Sequence, residues 1–230
     1  MPETAKQPMG AGDALSAIVS AVEAEEGPMT ERKRRIVEAA VVTFAEQGFA
    51  ATSTAELAHR AEVAEATIFR HFGSKKELLL RLVRPLADRV LVPAAIEELG
   101  LIREGNPGFR DVAAAVLKSR VAFADRYAPL LRIVAQELPL QPELRAMFFS
   151  SGLRHGVEHL RGVFLELVAA GEIRDDIQPD QLFRWFASLI VGYCGMRAIV
   201  PPGTFDDGSE IDAIVDFMVH GVRPQTGKPC

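Results

Sequence analysis

The sequence predicts an all-α fold, with a compact helical motif near the N-terminus and a larger helical part after it. Apolar residues recur at helical spacing, as Ile36, Ala40 and Phe44 do. Capping residues and loops that carry Gly or Pro separate these periodic segments. The sequence does not show the alternation of apolar and polar residues that marks a half-buried β-strand.

Composition favours a cytoplasmic protein without a cofactor. The chain has 230 residues, 48% of them hydrophobic, which is enough for a sizeable core. Two cysteines, Cys194 and Cys230, provide neither a disulfide framework nor a zinc site. The start of the chain lacks the pattern of a signal peptide. The longest uncharged stretch, 185–196, is too short to span a bilayer, so we expect no membrane partner.

Charge is distributed unevenly along the chain. The net charge is −5, but residues 30–84 contain ten Lys or Arg and seven Glu, a local charge of +3. The segments 1–29 and 85–230 each carry −4. A positive section in an acidic protein predicts that any contact with nucleic acid lies in that section.

The first elements can be assigned in order. Residues 1–29 are predicted to be a flexible N-terminal extension, in which 13–26 could form a short helix that Gly27 and Pro28 end. Thr30 is the expected N-cap of the first main helix, and Gly48 ends it. The basic run 32–35 lies in its first two turns, where a solvated face and a phosphate contact are equally plausible.

The segment 53–75 has the layout of a helix-turn-helix motif. Ser53 or Thr54 caps one helix, a turn follows at 61–64, and a second helix over 65–72 buries Ile68 and Phe72. Ser74 and Glu77, three residues apart, are the expected capping box of the next helix. In this layout the first helix supports the second and leaves the outer face of the second free for a DNA major groove.

Residues 39–79 resemble the N-terminal domain of the Tet repressor family of bacterial transcription regulators. The matching residues are Phe44, Gly48, Thr52, Ser53, Leu57, Ala58, Val63, Thr67, Ile68, Phe69, His71, Phe72 and Lys75. The resemblance implies a repressor that binds a palindromic double-stranded DNA operator as a homodimer and is released by a small-molecule effector. It also implies that the last two long helices pair across a two-fold axis.

The resemblance also assigns the DNA contacts. It implies phosphate contacts from Ser53 or Thr54 and from Thr67, Phe69 and Lys75, and base contacts from Ala55, Glu65, Ala66 and Arg70. Lys33, in the basic run, and His71 are two further candidates for contact with DNA. Chemistry agrees in part, since Arg70 can read guanine and Glu65 can accept from cytosine N4. Three positions depart from the family pattern. Glu62 replaces the usual Gly of the turn, Ala64 replaces a Ser cap, and Phe69 lacks the hydroxyl of the usual Tyr.

We expect residues 30–76 to form the DNA-binding domain, residues 77–224 a ligand-binding and dimerisation domain, and residues 225–230 a tail. Helices are predicted over 109–127, 129–137, 143–170, 178–200 and 209–222, after an element bent near Pro85 or broken before Pro93. The candidate pocket residues are Phe123, Tyr127, Phe148, Arg154, Phe183, Trp185 and Phe186. The aromatic members fit an ordinary helical core equally well.

Two alternative functions remain open from the sequence. His155, Glu158 and His159 spell H-x-x-E-H, a zinc-ligand spacing that also suits a metal-dependent enzyme. A solvated or dimer-facing pair of polar residues is the default interpretation, so no metal or catalytic residue is assigned and no enzyme is expected. Glu62, Ala64 and the low positive charge are also consistent with a helical interaction protein that has lost DNA binding.

Overall fold

The computed structural model describes residues 11–86, 108–148, 151–201 and 203–224, without the side chains of residues 11, 148 and 151–156. Over these ranges the protein is helical and contains no strand, which confirms the all-α prediction. The helices are α1 (Ala11–Glu26), α2 (Glu31–Gln47), α3 (Thr54–Arg60), α4 (Glu65–Phe72), α5 (Lys75–Pro85), α6 (Phe109–Arg126), α7 (Ala128–Glu137), α8 (Pro142–Phe148), α9 (Ser151–Ala169), α10 (Pro179–Ile199) and α11 (Asp207–Val222). The predicted tail 225–230 and the region of Pro93 lie outside the described residues.

The chain divides into two compact units that are not continuous in sequence. The first unit combines Met1–Leu91 with Phe123–Gly152, and the second combines Val92–Ala122 with Leu153–Cys230. The sequence predicted that the boundary between the two main domains follows residue 76. The structure differs because α7 packs against α2 and α5, so that α7 joins the core of the helix-turn-helix helices. The order of helices in the sequence does not indicate that the chain enters the second unit and then contributes α7 to the first unit.

Helix α1 belongs to the core of the first unit. Ile18 is fully buried, and Val19 and Val22 are nearly so, in one cluster with residues of α2, α5 and α7. The prediction of a flexible extension over residues 1–29 is therefore wrong for residues 11–26. The short helix predicted there exists, and its apolar face covers neighbouring helices instead of lying in solvent.

The predicted caps of the first unit are present. The Thr30 hydroxyl accepts from the Lys33 amide at 3.4 Å, Ser53 from Glu56 at 3.1 Å, and Ser74 from Glu77 at 3.0 Å. A capping box has a second hydrogen bond, in which the Ser74 amide would donate to the Glu77 carboxylate. That hydrogen bond is not formed here. That amide donates to the Phe72 carbonyl at 2.8 Å, and the Glu77 carboxylate accepts from Arg81 at 3.3 Å. Only the hydroxyl half of the capping box is formed.

The second unit has its own apolar core, drawn from α6, α9, α10 and α11. Asp207, in the first turn of α11, ties this helix to α10. It accepts from the Tyr193 hydroxyl at 2.6 Å and from the Arg197 guanidinium at 2.8 Å. Burial, and then the hydrogen bond to Asp207, raise the pKa of Tyr193 well above its usual range. The phenol therefore stays protonated and remains a donor at any physiological pH.

Helix α10 leaves much of its apolar surface uncovered. Trp185, Val191, Met196 and Ile199 are all about half exposed or more. By length and composition alone, this helix would also be apolar enough to cross a membrane, and only 11% of its most apolar window is buried. A surface of this kind marks an interaction site in a helical protein.

Replacing Ile18 by Ala tests whether α1 is part of the core. We expect the free energy of unfolding to fall by about 2–4 kcal/mol, because the substitution removes buried methylenes and leaves a cavity. Urea denaturation measures the change. Ser20→Ala, on the exposed side of the same helix, should alter stability by less than about 0.5 kcal/mol. Equal stabilities of the two variants would show that α1 is not packed in solution.

Candidate nucleic-acid interface

Helix α4 is held by its buried side. Ile68 is fully buried and Phe72 is 1% exposed, and both lie in one cluster with Leu57 and Ala58 of α3. The opposite side presents its residues to solvent as predicted. Glu65, Ala66, Phe69 and Arg70 are exposed, and Thr67 is half-buried at the margin. The arrangement presents an eight-residue helix with a free outer face, the geometry needed to enter a major groove.

The turn between α3 and α4 contains two of the three departures from the family pattern. Glu62 has a φ of +52°, a left-handed conformation that costs a non-glycine residue about 1–2 kcal/mol. Its carboxylate accepts from Arg35 of α2 at 2.9 Å, which ties the turn to α2. Ala64 occupies the N-cap position of α4 without a side-chain cap bond. Helix α4, which is the recognition helix of the motif, therefore begins without the hydroxyl cap that α3 and α5 have.

The N-terminus of α3 lies beside the N-terminus of α4. Ser53 is exposed and caps α3 through its hydroxyl. Thr54 donates its hydroxyl hydrogen to the carboxylate of Glu65 in a short hydrogen bond between the two helices. Ala55 is exposed next to this pair. The structure thus brings predicted phosphate-contacting and base-contacting residues together on one surface of the first unit.

Lys75 has partners within the protein. Its ammonium group donates to the carbonyls of Phe49 and Thr52, at 2.7 and 2.6 Å, and lies 4.4 Å from the centre of the Phe49 ring. These bonds join the start of α5 to the loop before α3. Two of the three ammonium donors are used, so the group available for the predicted phosphate contact is the third donor.

The basic run of α2 is largely engaged by acidic residues. Lys33 lies 2.5 Å from Glu26 of α1, with 18% of its side chain exposed, and Arg34 lies 2.6 Å from Glu23. Lys33, predicted to contact DNA, is therefore held against α1. Within 30–84 the structure shows no acidic partner for four basic residues, Arg32, Arg70, Lys75 and Arg84, and of these Lys75 is held by carbonyl groups.

His71 lies in a positive environment. Partial burial, followed by the charges of Arg70, Lys33 and Arg32, lowers the pKa of His71 below its ordinary value. The imidazole is therefore neutral at pH 7. Burial is the larger cause of the shift, and the charges of Arg70, Lys33 and Arg32 add to it. These three cations near the C-terminal end of α4 suit an anionic partner.

The candidate pocket residues do not share one core. Phe123 and Tyr127 lie in the first unit with ring centres 5.0 Å apart, whereas Phe183 and Phe186 belong to the core of the second unit. Trp185 is 48% exposed, so this single chain does not bury it as a pocket residue would be buried. The side chains of the remaining two candidates, Phe148 and Arg154, lie outside the described residues.

Comparison with protein families decides the identity of the motif. Residues 36–82 match the model of the tetR family of bacterial regulatory proteins. Residues 110–221 match the C-terminal domain of AefR-like transcriptional repressors. The chain belongs to the tetR family. It is a DNA-binding transcriptional regulator.

Individual tetR-family relatives resemble the chain over most of its length. The transcriptional repressor Rv1474c of Mycobacterium tuberculosis is 25% identical, over 86% of this chain and 96% of that protein. The crystal structure of PfmR from Thermus thermophilus superposes with a TM-score of 0.65 at 24% identity, over 83% of this chain and all of that one. FadR from Bacillus subtilis, solved with stearoyl-CoA, gives 0.63 at 21% identity, over 83% and all of the two chains.

Membership of the tetR family overturns the hypothesis of a metal-dependent enzyme. The repressor-domain match covers His155, Glu158 and His159, so this segment is part of a regulator domain. Glu158 is exposed, and His159 is half-buried with an Nε2 atom that has no hydrogen-bond partner. The side chain of His155 lies outside the described residues. The H-x-x-E-H pattern on α9 therefore marks no catalytic site.

Adding a hydroxyl at the start of the recognition helix should stabilise the protein. Ala64→Ser is expected to raise the free energy of unfolding by about 0.5–1 kcal/mol, because it supplies the missing N-cap bond. Chemical denaturation of the protein without DNA measures the effect. Ala66→Ser, inside the same helix, is the control and should be neutral or slightly destabilising. A gain from both substitutions would mean that capping is not the cause.

Proposed function

We propose that the protein is a homodimeric repressor that binds a palindromic operator inside the cell and leaves it when a small molecule binds. The observation that carries this proposal is the free face of α4, with Arg70 and Glu65 exposed on a helix whose other side is buried. A guanidinium matches guanine O6 and N7, and a carboxylate matches an amino group of a base. Both groups are suited to the floor of a major groove.

Two copies of α4 would read two half-sites. In dimeric helix-turn-helix proteins the recognition helices enter successive major grooves about 34–36 Å apart. The operator is then expected to be an inverted repeat whose half-sites are one helical turn, or a multiple of one, apart. Exposed residues around α4 supply the groove contacts, and the hydroxyl and amide groups at the start of α3 supply phosphate contacts.

The surface of α10 supports a dimer with a second copy of this chain. Ser188, Gly192 and Gly195 lie along the exposed side of α10, and open space surrounds the position of a Cβ atom at both glycines. Small residues allow another helix to approach closely, and the exposed Val191 and Ile199 flank them. Phe217 adds a 71% exposed aromatic ring on α11. Burying such a patch stabilises a dimer by removing apolar surface from water.

The effector is proposed to bind in the second unit. The structure of FadR from Bacillus subtilis contains stearoyl-CoA, which shows that a related fold accommodates a ligand with a long apolar part. In our proposal α5, the helix after the recognition helix, carries the change to the DNA-binding surface. Linkage then requires that operator binding weakens effector binding by the same factor as the effector weakens operator binding.

Fluorescence anisotropy with DNA from the region upstream of the protein's own gene tests operator binding. We expect saturable binding that the same fragment competes and random DNA does not, with affinity that falls as salt rises. Arg70→Ala should reduce affinity by about tenfold or more, since one good base contact contributes about 1–3 kcal/mol. Arg132→Ala, an exposed residue of α7, should change little.

The outcome also separates regulation from an interaction role. If Arg70→Ala leaves binding unchanged, α4 does not read DNA. If the wild-type protein shows no preference for any fragment at low salt, the interaction-protein hypothesis replaces the repressor. Release of bound DNA on addition of a candidate ligand then tests the effector part of the proposal separately.

Placing a charge on the exposed side of α10 should dissociate the dimer. Val191→Glu puts a carboxylate at a 71% exposed position that the dimer would bury, and a buried unpaired charge costs several kcal/mol. Sedimentation velocity should show a dimer for the wild type and a monomer of 25.1 kDa for the variant. Leu140→Glu, which is 69% exposed in the first unit, is the control and should remain dimeric. A monomeric wild type at micromolar concentration would contradict the dimer.

A further inference from the structure

The hydrogen bond between Thr54 and Glu65 joins two residues that both belong to the expected DNA-contacting surface. Thr54 is the first residue of α3, and Glu65 is the first residue of α4. The bond has no capping role, because the neighbouring Ser53 already caps α3. Glu65 is exposed and Thr54 is half-buried, so the pair lies at the surface where the two helices begin.

The direction of this bond limits what Thr54 can do for DNA. A hydroxyl has one hydrogen to donate, and an ionised carboxylate only accepts, so Thr54 must be the donor to Glu65. Phosphate oxygens of DNA also only accept. While the bond to Glu65 lasts, Thr54 cannot donate to a phosphate, a role that the family resemblance gives to either Ser53 or Thr54.

We propose that Thr54 is a positioning residue for Glu65 and thereby sets the base preference of the protein at one operator position. Thr54 holds Oε1 of Glu65 and leaves Oε2 to accept a hydrogen bond from a base. In the major groove the donors are the amino groups of cytosine and adenine, whereas guanine and thymine present acceptors to a carboxylate. The inference rests on the proposed function, in which α4 reads the groove.

The residues next to the pair cannot contact a base edge by hydrogen bonds in place of Glu65. Ala55 follows Thr54 on α3 and Ala66 follows Glu65 on α4, and neither has a polar side chain. A free glutamate side chain has many rotamers, and a fixed partner reduces the entropy lost when it contacts a base. The bond from Thr54 therefore orients a group that its immediate neighbours cannot replace.

Selection of bound sequences from randomised DNA tests the proposal, with the wild type, Thr54→Val, Thr54→Ser and Glu65→Gln. Val keeps the shape of Thr without the hydroxyl, and Ser keeps the hydroxyl. We expect Thr54→Val to lower discrimination at one symmetric pair of operator positions by about tenfold, the factor that a hydrogen bond to a charged group supplies. Thr54→Ser should retain the preference, and Glu65→Gln should shift it toward adenine at the same positions.

Each other outcome has a defined meaning. If Thr54→Val weakens binding equally for all sequences and leaves base preferences intact, Thr54 contacts a phosphate and the proposal is wrong. It is also wrong if Thr54→Val changes nothing, or if Glu65→Gln alters a different position. A wild type that selects no sequence at all would remove the proposed function itself, and with it this inference. Thermal unfolding of each variant without DNA verifies that it is folded.

Discussion

The packing that holds α4 is the constraint on which the DNA-binding surface depends. A helix of eight residues is not stable alone in water, because the cost of forming its first turn is not recovered over so short a length. Ile68 and Phe72 supply the missing stability by entering the core shared with α2, α3 and α5. The same burial fixes the rotation of the helix about its axis. The identity of the exposed residues therefore follows from the identity of the buried ones.

The local structure of the first unit could be predicted from the sequence, whereas its long-range partners could not. Hydroxyl caps and the turn at 61–64 depend on residues a few places apart, and the structure has both. The partners of Lys33 and Lys75 depend on which helices meet, which no spacing in the sequence encodes. The position of α1 was missed for the same reason. The apolar residues of α1 can be read from the sequence, but the sequence does not indicate that they pack on α2, α5 and α7.

The number of cations free to contact DNA is smaller than the number of basic residues in the positive section. Most basic residues of the positive section are paired with carboxylates or, for Lys75, with carbonyl groups. Neutralised groups release few counterions when DNA binds, so the dependence of affinity on salt is set by the smaller number of free cations. Specificity in such a protein rests more on oriented groups at base edges than on attraction to the phosphate backbone.

The ion pairs of α1 have a mechanical consequence. Glu26 contacts Lys33 of α2 and lies 3.7 Å from Arg81 of α5, and the apolar side of α1 packs on both helices. Moving α5 relative to α2 would break these contacts together. The first unit therefore has few internal degrees of freedom. Under the effector mechanism proposed above, a displacement of α5 would move α1 and α2 with it. Loosening α1 would let α5 move without the other helices of the unit.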